Sequence, residues 1–452
     1  MSQTNRGTLV LRFADLGVAT YASLRIVGQP ARTVTWVVEE PILLAALREL
    51  AAALPEPVQS ESRRDALERA LTRGAFAAPD SELELAYTLG VLLIAPAAWQ
   101  LIVDCMTAPR AALFVSPSVR LSRVPWGLLA LPKAGPSAWD LARARAAAVT
   151  LAGTAPAEIG CQSATIGERT DGHRLIELVD VLMAVPQNVV HAPRTAVGWP
   201  RRRDGPPLLI LDPRVPGQRP DSALGSVLGR PSEQTALTKH FTEVLRSRAV
   251  LPNVDTAIAL FRRTDVDRQW LADSLTKTPS RILYVGHASS AQGNADGAAL
   301  HLACTIRFGG DTDAIGEHRP LNAADLMSMR LSMPPRVALL ACGSGGDYQF
   351  DEAGGLVTAM VLGGAQLVTA TLWSLPTAAA YRLHASGAAP DAKADPMADL
   401  VIGVDRAHNA DEAGSAVNRW QRAWMQHWRS GDRSASPLYW AALATFAVDG
   451  AR

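Results

Sequence analysis

Long hydrophobic runs are missing from this chain. No stretch reaches the roughly 18 apolar residues that a membrane span needs, and the apolar segment at 89–98 is short and carries Pro96. No membrane partner is expected. A charge excess is missing too. Lys and Arg number 44 against 43 Asp and Glu, a net charge of +1, which gives no electrostatic basis for binding nucleic acid. The basic residues are nearly all arginine and alanine is abundant, a compositional bias rather than a binding surface. Cysteine is scarce. The four present, Cys105, Cys161, Cys304 and Cys342, form no CxxC pair and no Cys/His ligand spacing, so neither a structural zinc nor another cofactor is expected. Residues 1–11 lack the basic stretch and apolar core of a secretory leader. A reducing, cytoplasmic setting with free thiols is the expectation.

What the chain does have is an ordinary globular core, 48% apolar over 452 residues. That length holds two or three average domains, or one large domain with a smaller one. Residues 8–13 and 33–38 read as strands, and 41–54 and 62–71 as helices, with Pro41 in a first helical turn. Pro55, Pro57 and the break at 74–79 then interrupt the pattern. The expected division is a small N-terminal α/β segment, 1–78, and a main domain, 79–452. A helix begins near Ser81, a strand covers 111–115, and the Ala-rich stretch 138–152 reads as helical. The 193–207 tract, with Arg201, Arg202 and Arg203, reads as a solvated loop.

From residue 208 onward strands and helices alternate. Strands are expected at 208–211, 281–286, 337–341 and 366–371, with a short one at 300–302 and a turn at Gly309-Gly310. Helices are expected near 232–246, 256–261, 267–275, 321–326, 352–363 and 411–429. A polar tract at 385–396 reads as a loop, and 438–448 as the strand closing the sheet. The alternation predicts an α/β fold, a mostly parallel sheet flanked by helices on both faces. No short repeat period appears.

Two of these apolar strands stop at a reactive residue. One ends Gly286-His287-Ala288-Ser289, the other Ala341-Cys342-Gly343-Ser344-Gly345-Gly346. Parallel strands put their C-terminal ends on one edge of the sheet, where α/β proteins bind ligands. A thiol needs a base or a lowered pKa to act as a nucleophile, and an imidazole supplies either. The small residues after each leave backbone N–H groups for an oxyanion hole. Read alone, each side chain has a bland alternative: Cys342 as a small buried hydrophobe, His287 as a hydrogen-bonded core histidine.

These two motifs resemble the catalytic strands of the CHAT domain, a caspase-like (clan CD) cysteine peptidase family found mostly in bacteria. Four further pieces resemble it in order. They are Val124-Pro125-Trp126-Gly127-Leu128-Leu129, the Asp351 to Met360 stretch with Gly363-Gly364-Ala365, Val368 to Leu375 around Trp373, and Pro437-Leu438-Tyr439-Trp440-Ala441. The resemblance covers roughly residues 80–450. It implies a Cys–His dyad in a cysteine endopeptidase. Cys342 would attack a peptide carbonyl, His287 would serve as base and then protonate the leaving amine, and the N–H groups of Cys342 and Ala288 would hold the oxyanion. Two positions depart from the family pattern. Ala288 stands where glycine is usual, a strained choice if φ is positive there, and Gly343 stands where a polar residue is common.

Substrate preference is less legible. Clan CD peptidases hold the residue before the cut in a pocket of complementary charge. Asp347 and Asp351 are the candidate pocket acids and Trp373 the candidate wall, with Asp212 also at a strand end; Glu352 reads as a brace for the helix after it. The expected partners are a protein or peptide substrate and a regulatory protein. The competing reading is a non-catalytic interaction module, motivated by residues 1–78, which carry no chemical signature. A serine hydrolase using Ser344 is disfavoured, because a nucleophile elbow needs glycine where Cys342 stands. Self-cleavage, if it occurs, is expected in the 193–207 or 385–397 loop.

Overall fold

The computed structural model describes residues 7–108, 111–133, 169–219, 222–289, 297–310, 312–341, 355–384 and 394–452. Two compact units divide the chain. The first is residues 1–183 with 424–441, and the second is 184–423 with 442–452.

The first unit is built on β1 (Thr8–Asp15), β2 (Ala19–Ile26) and β3 (Gln29–Glu39), an antiparallel meander. Leu9, Leu11 and Phe13 of β1 point to the core while Arg12 faces out, the period-2 pattern of a one-sided sheet. β2 has no counterpart among the expected elements. Its inward residues begin with Thr20 and Ala22, too small and polar to write a clear alternation. β4 (Ala112–Ser116) joins the other edge of β1 in parallel, from Thr8 opposite Ala112 to Arg12 opposite Ser116. Residues before 79 therefore share a sheet with residues after it. β5 (Ala130–Pro132) pairs with β6 (Thr170–Arg174), and β7 (Asp180–Ala184) extends β4 in parallel.

Helices cover this sheet. Glu40–Ala53 starts on Pro41, and Arg63–Thr72 is capped by the Ser62 hydroxyl accepting from the Asp65 N–H at 3.2 Å. The helix Pro79–Leu93 lies so close to β5 that a Cβ on Gly90 would come within 2.2 Å of the Ala130 carbonyl oxygen. Glu82 on this helix takes both its hydrogen bonds, 2.9 Å each, from the buried Arg174 of β6. No single helix among the described residues is long and apolar enough to cross a membrane.

The second unit holds five sheet strands, in spatial order from residues 443–447 through 367–371, 336–341 and 281–286 to 208–211. β8 (Leu208–Leu211), β9 (Arg281–Gly286), β13 (Arg336–Ala341) and β14 (Leu367–Thr371) are parallel, and β15 (Leu443–Ala447) runs antiparallel to β14. Every residue of β9, β13 and β14 is buried, as expected for strands covered on both faces. A small antiparallel sheet, β10 (Ala288–Ser289), β11 (Ala299–Leu300) and β12 (Leu321–Asn322), follows the end of β9. The mixed α/β, mostly parallel architecture agrees with the alternation in the sequence.

Local differences have local causes. The 193–207 tract is not wholly solvated: it contains a helical turn, Trp199–Arg202, whose indole is buried beneath the Arg336 guanidinium at 3.6 Å. The 256–261 segment is a 3-10 turn, Ala257–Leu260. The 438–448 run begins as a helical turn, Pro437–Trp440, before β15. The helix Pro396–Asn409, capped by Asp395, has no expected counterpart. The predicted helix at 138–152 and most of the 385–396 loop lie outside the described residues.

Candidate active site

Three neighbouring parallel strands bring their C-terminal ends to one edge. β9 and β13 run in register from Arg281 opposite Arg336 to Gly286 opposite Ala341, and β8 sets Leu211 opposite Val285. The chain then leaves β8 at Asp212 and β9 at His287. Beyond β13 the next residue in sequence is Cys342, which lies outside the described residues, as do Gly343, Ser344, Asp347, Asp351 and Glu352.

His287 is buried, 7% exposed, and its ring orientation is set by backbone. Nε2 donates to the Gly225 carbonyl at 2.8 Å. A carbonyl only accepts, so Nε2 carries a proton, and in the neutral ring Nδ1 carries the lone pair. The main chain is held as firmly. The His287 carbonyl accepts from the Tyr284 hydroxyl at 2.6 Å and from the His301 N–H at 3.0 Å. Glycine is needed just before it, because a Cβ on Gly286 would come within 2.8 Å of the Tyr284 hydroxyl oxygen. Ala288 lies in β10 opposite Leu300, and it is not among the residues of positive φ, so the substitution of alanine for glycine carries no left-handed strain.

Asp212 is fully buried, and its carboxylate is occupied. It accepts from the Ser226 hydroxyl at 2.5 Å, the Val227 N–H at 3.2 Å and Arg262 Nη1 at 3.2 Å. It is thus a brace for the 222–229 loop. Trp373 is wholly buried just past β14.

Two more histidines back His287. His318 Nδ1 donates to the Cys304 carbonyl at 2.8 Å, which leaves its Nε2 to accept from His301 Nδ1 at 3.0 Å. The chain of bonds forces a lone pair onto His301 Nε2, a buried atom without a hydrogen-bond partner. Burial, then the neighbouring His318 and His287, lowers the His301 pKa from 6.5 to about 3. Burial likewise lowers that of His318. Among the described residues no group of three or more His, Cys, Asp or Glu is arranged to hold a metal.

The opposite ends of β9 and β13 carry buried charge. Arg281 Nη2 donates to Asp405 at 2.6 Å, and Asp405 also accepts from His240 Nε2 at 3.0 Å. Burial opposes ionisation of Asp405, but Arg281 and His240 outweigh it and lower the pKa from 3.8 to about 2. Arg336 donates to the carbonyls of His408 at 2.8 Å and Asp411 at 2.6 Å, and to that of Ala410, so it caps the C-terminal end of the Pro396–Asn409 helix. His408, whose pKa burial and then the two arginines lower to about 3, bonds Thr369 of β14 at 2.8 Å.

His287 and Asp212 were legible as strand ends. The 222–229 loop and Arg262 were not. A left-handed arginine, φ 53°, leaves no mark in sequence, whereas three histidines between 287 and 318 were a signal available to be read.

The family model described as "CHAT domain" matches residues 83–450. No curated protein matches the chain. Among solved structures, two crystal structures of the Saccharomyces cerevisiae separase–securin complex are similar, at 12% and 10% identity and a TM-score of 0.42 each. Each comparison covers 99% of this chain and 30% of the separase chain, so this chain spans less than a third of the relative it resembles.

Proposed function

The chain belongs to the CHAT domain family, with its caspase-like fold, and from that premise we propose that it is a cysteine endopeptidase, a regulated effector cleaving one or a few partner proteins. The observation that carries the reading is the shared end of β9 and β13. Ala341 and Gly286 are register partners at the ends of neighbouring parallel strands, and Cys342 and His287 are the residues next to them in sequence. His287 supports the role of base because its Nε2–H is committed to Gly225, which in the neutral ring leaves the basic lone pair on Nδ1.

The step is then an ordinary acyl transfer. The Cys342 thiol gives its proton to His287 Nδ1, and the thiolate adds to the peptide carbonyl. The oxyanion is received by the N–H groups of Cys342 and Ala288. The register favours Ala288 for this. The His301 N–H donates to the His287 carbonyl, and in an antiparallel ladder alternate pairs exchange hydrogen bonds, so Ala288 sits at a pair whose N–H points away from β11. Collapse breaks the C–N bond, His287 returns the proton to the amine, and water releases the acyl group by the same route. A pocket acid at Asp347 or Asp351 and a wall at Trp373 stay part of the proposal. Asp212 does not, because its carboxylate is already committed to the loop.

The test compares N-termini across a proteome exposed to the wild type and to Cys342→Ala. A small set of new termini present only with the wild type is expected; identical profiles would sink the reading. One observation favours a second reading, an interaction module. The first unit exposes Val18, Tyr21, Val27 and Val37, at 81, 47, 52 and 51%. Labelling of Cys342 by a peptide electrophile, abolished in His287→Ala, would count against a purely non-catalytic role.

A further inference from the structure

We propose that Asp212, acting with Arg262 through the 222–229 loop, is a positioning residue that holds His287 in its Nε2–H tautomer and in its working orientation. The inference rests on the dyad proposed above. Its evidence is a set of bonds converging on one carbonyl. Gly225 receives His287 Nε2 at 2.8 Å and Arg262 Nη1 at 3.3 Å. The same Arg262 nitrogen is 3.2 Å from the Asp212 carboxylate. The residues on the far side of Gly225 are tied to that carboxylate directly, through the Ser226 hydroxyl at 2.5 Å and the N–H groups of Val227 at 3.2 Å and Leu228 at 3.4 Å. The side-chain bonds of Asp212 thus end on the loop that presents Gly225 or on the arginine that reaches Gly225.

The brace is anchored to the strands as well. The Asp212 N–H donates to Val285 of β9 at 2.6 Å, and the Arg262 N–H to Leu211 of β8 at 3.2 Å. Both residues hold left-handed backbone, φ 51° and 53°, a costly conformation for side chains of this size. Strain of that kind persists where surrounding structure over-determines it, and here it turns both side chains toward one loop. A fully buried carboxylate is tolerated because Arg262 neutralises it. The consequence for His287 is specific. A rigid acceptor on Nε2 leaves only Nδ1 to take a proton. A loop set free to move would let the ring flip and the tautomers mix.

The experiment follows the ring nitrogens of His287 by NMR in the full chain labelled with 15N-histidine, with His287→Gln to assign them. In Cys342→Ala, an Nε2–H pattern is expected. Adding Asp212→Asn, which keeps volume and tolerates left-handed backbone, is expected to mix the tautomers. In the otherwise wild-type enzyme the same change should lower kcat about ten- to a hundredfold, the range of a misplaced general base, with KM within about twofold. Should Asp212→Asn fail to fold, Ser226→Ala and Arg262→Gln remove the brace from its other ends and should mix the tautomers to a lesser degree. Unchanged nitrogen shifts in the folded variants would overturn the proposal. Cleavage that survives Cys342→Ala would overturn the dyad instead, and the nitrogen readout does not depend on cleavage.

Discussion

The two ends of the β9–β13 pair are made of opposite materials. At one end stand Arg281 and Arg336, buried side chains of which the first is paired with the Asp405 carboxylate through Nη2 and the second donates to the carbonyls that finish a helix. At the other stand Gly286 and Ala341, with almost no side chain, and a histidine oriented by a carbonyl. Each strand is only six residues long. The charged end locks strands to the helix Pro396–Asn409. The small-residue end leaves the strand ends without bulky side chains.

The largest expected effect breaks the reactive end alone. Cys342→Ala or His287→Ala should cut cleavage on the order of a thousandfold or more, while the denaturation midpoint moves little. A midpoint that falls in step with activity would mean that the residues hold the fold instead.

Breaking the charged end should do the reverse. Asp405→Ala leaves Arg281 buried and unpaired, and should cost about 3–5 kcal/mol of stability in chemical denaturation. The double change Arg281→Met with Asp405→Leu should recover most of that loss, since an apolar pair replaces an ion pair at little cost. A double variant as unstable as the single one would show that the network does more than compensate its own burial.

Acid separates the ends in another way. His301, beside the reactive end, and His408, at the charged end, both titrate near 3 when folded and near 6.5 when unfolded. Between those values the unfolded chain binds the extra protons. Stability is therefore fully present above 6.5 and is lost as pH falls through the window, by about 1.4 kcal/mol per pH unit for each group. Asp405 adds its own loss only below 3.8, toward about 2. Denaturation followed from pH 7 to 4 in His301→Gln and His408→Gln should each show a shallower slope than the parent. An unchanged slope in both would remove these histidines from the acid response.

The smallest effect lies away from both ends. Ser62→Ala removes the cap of Arg63–Thr72 and should cost about 1 kcal/mol of stability, with cleavage unaltered.

The same contrast governs what the sequence made legible. The reactive end was readable because apolar runs stop at Asp212, His287 and Cys342, and a run that stops marks a strand's end. The charged end was not. Arg281 and Asp405 are 124 residues apart, and Asp405 sits in a helix whose apolar pattern gave no warning of it. An arginine that opens a strand reads as a surface residue until its partner is known. The Gly225 acceptor was hidden for a different reason: a backbone carbonyl has no letter in the sequence.

The antiparallel β15 has a consequence for synthesis. Synthesis runs from the N-terminal to the C-terminal side, yet the first unit includes residues 424–441 and the second waits for 443–447 to pair with β14. Neither unit can be completed before residues 424–447 emerge. Until then the β14 backbone lacks its β15 neighbour along a wholly apolar or threonine-lined edge, Leu367 to Thr371, the kind of nascent surface that chaperones shield.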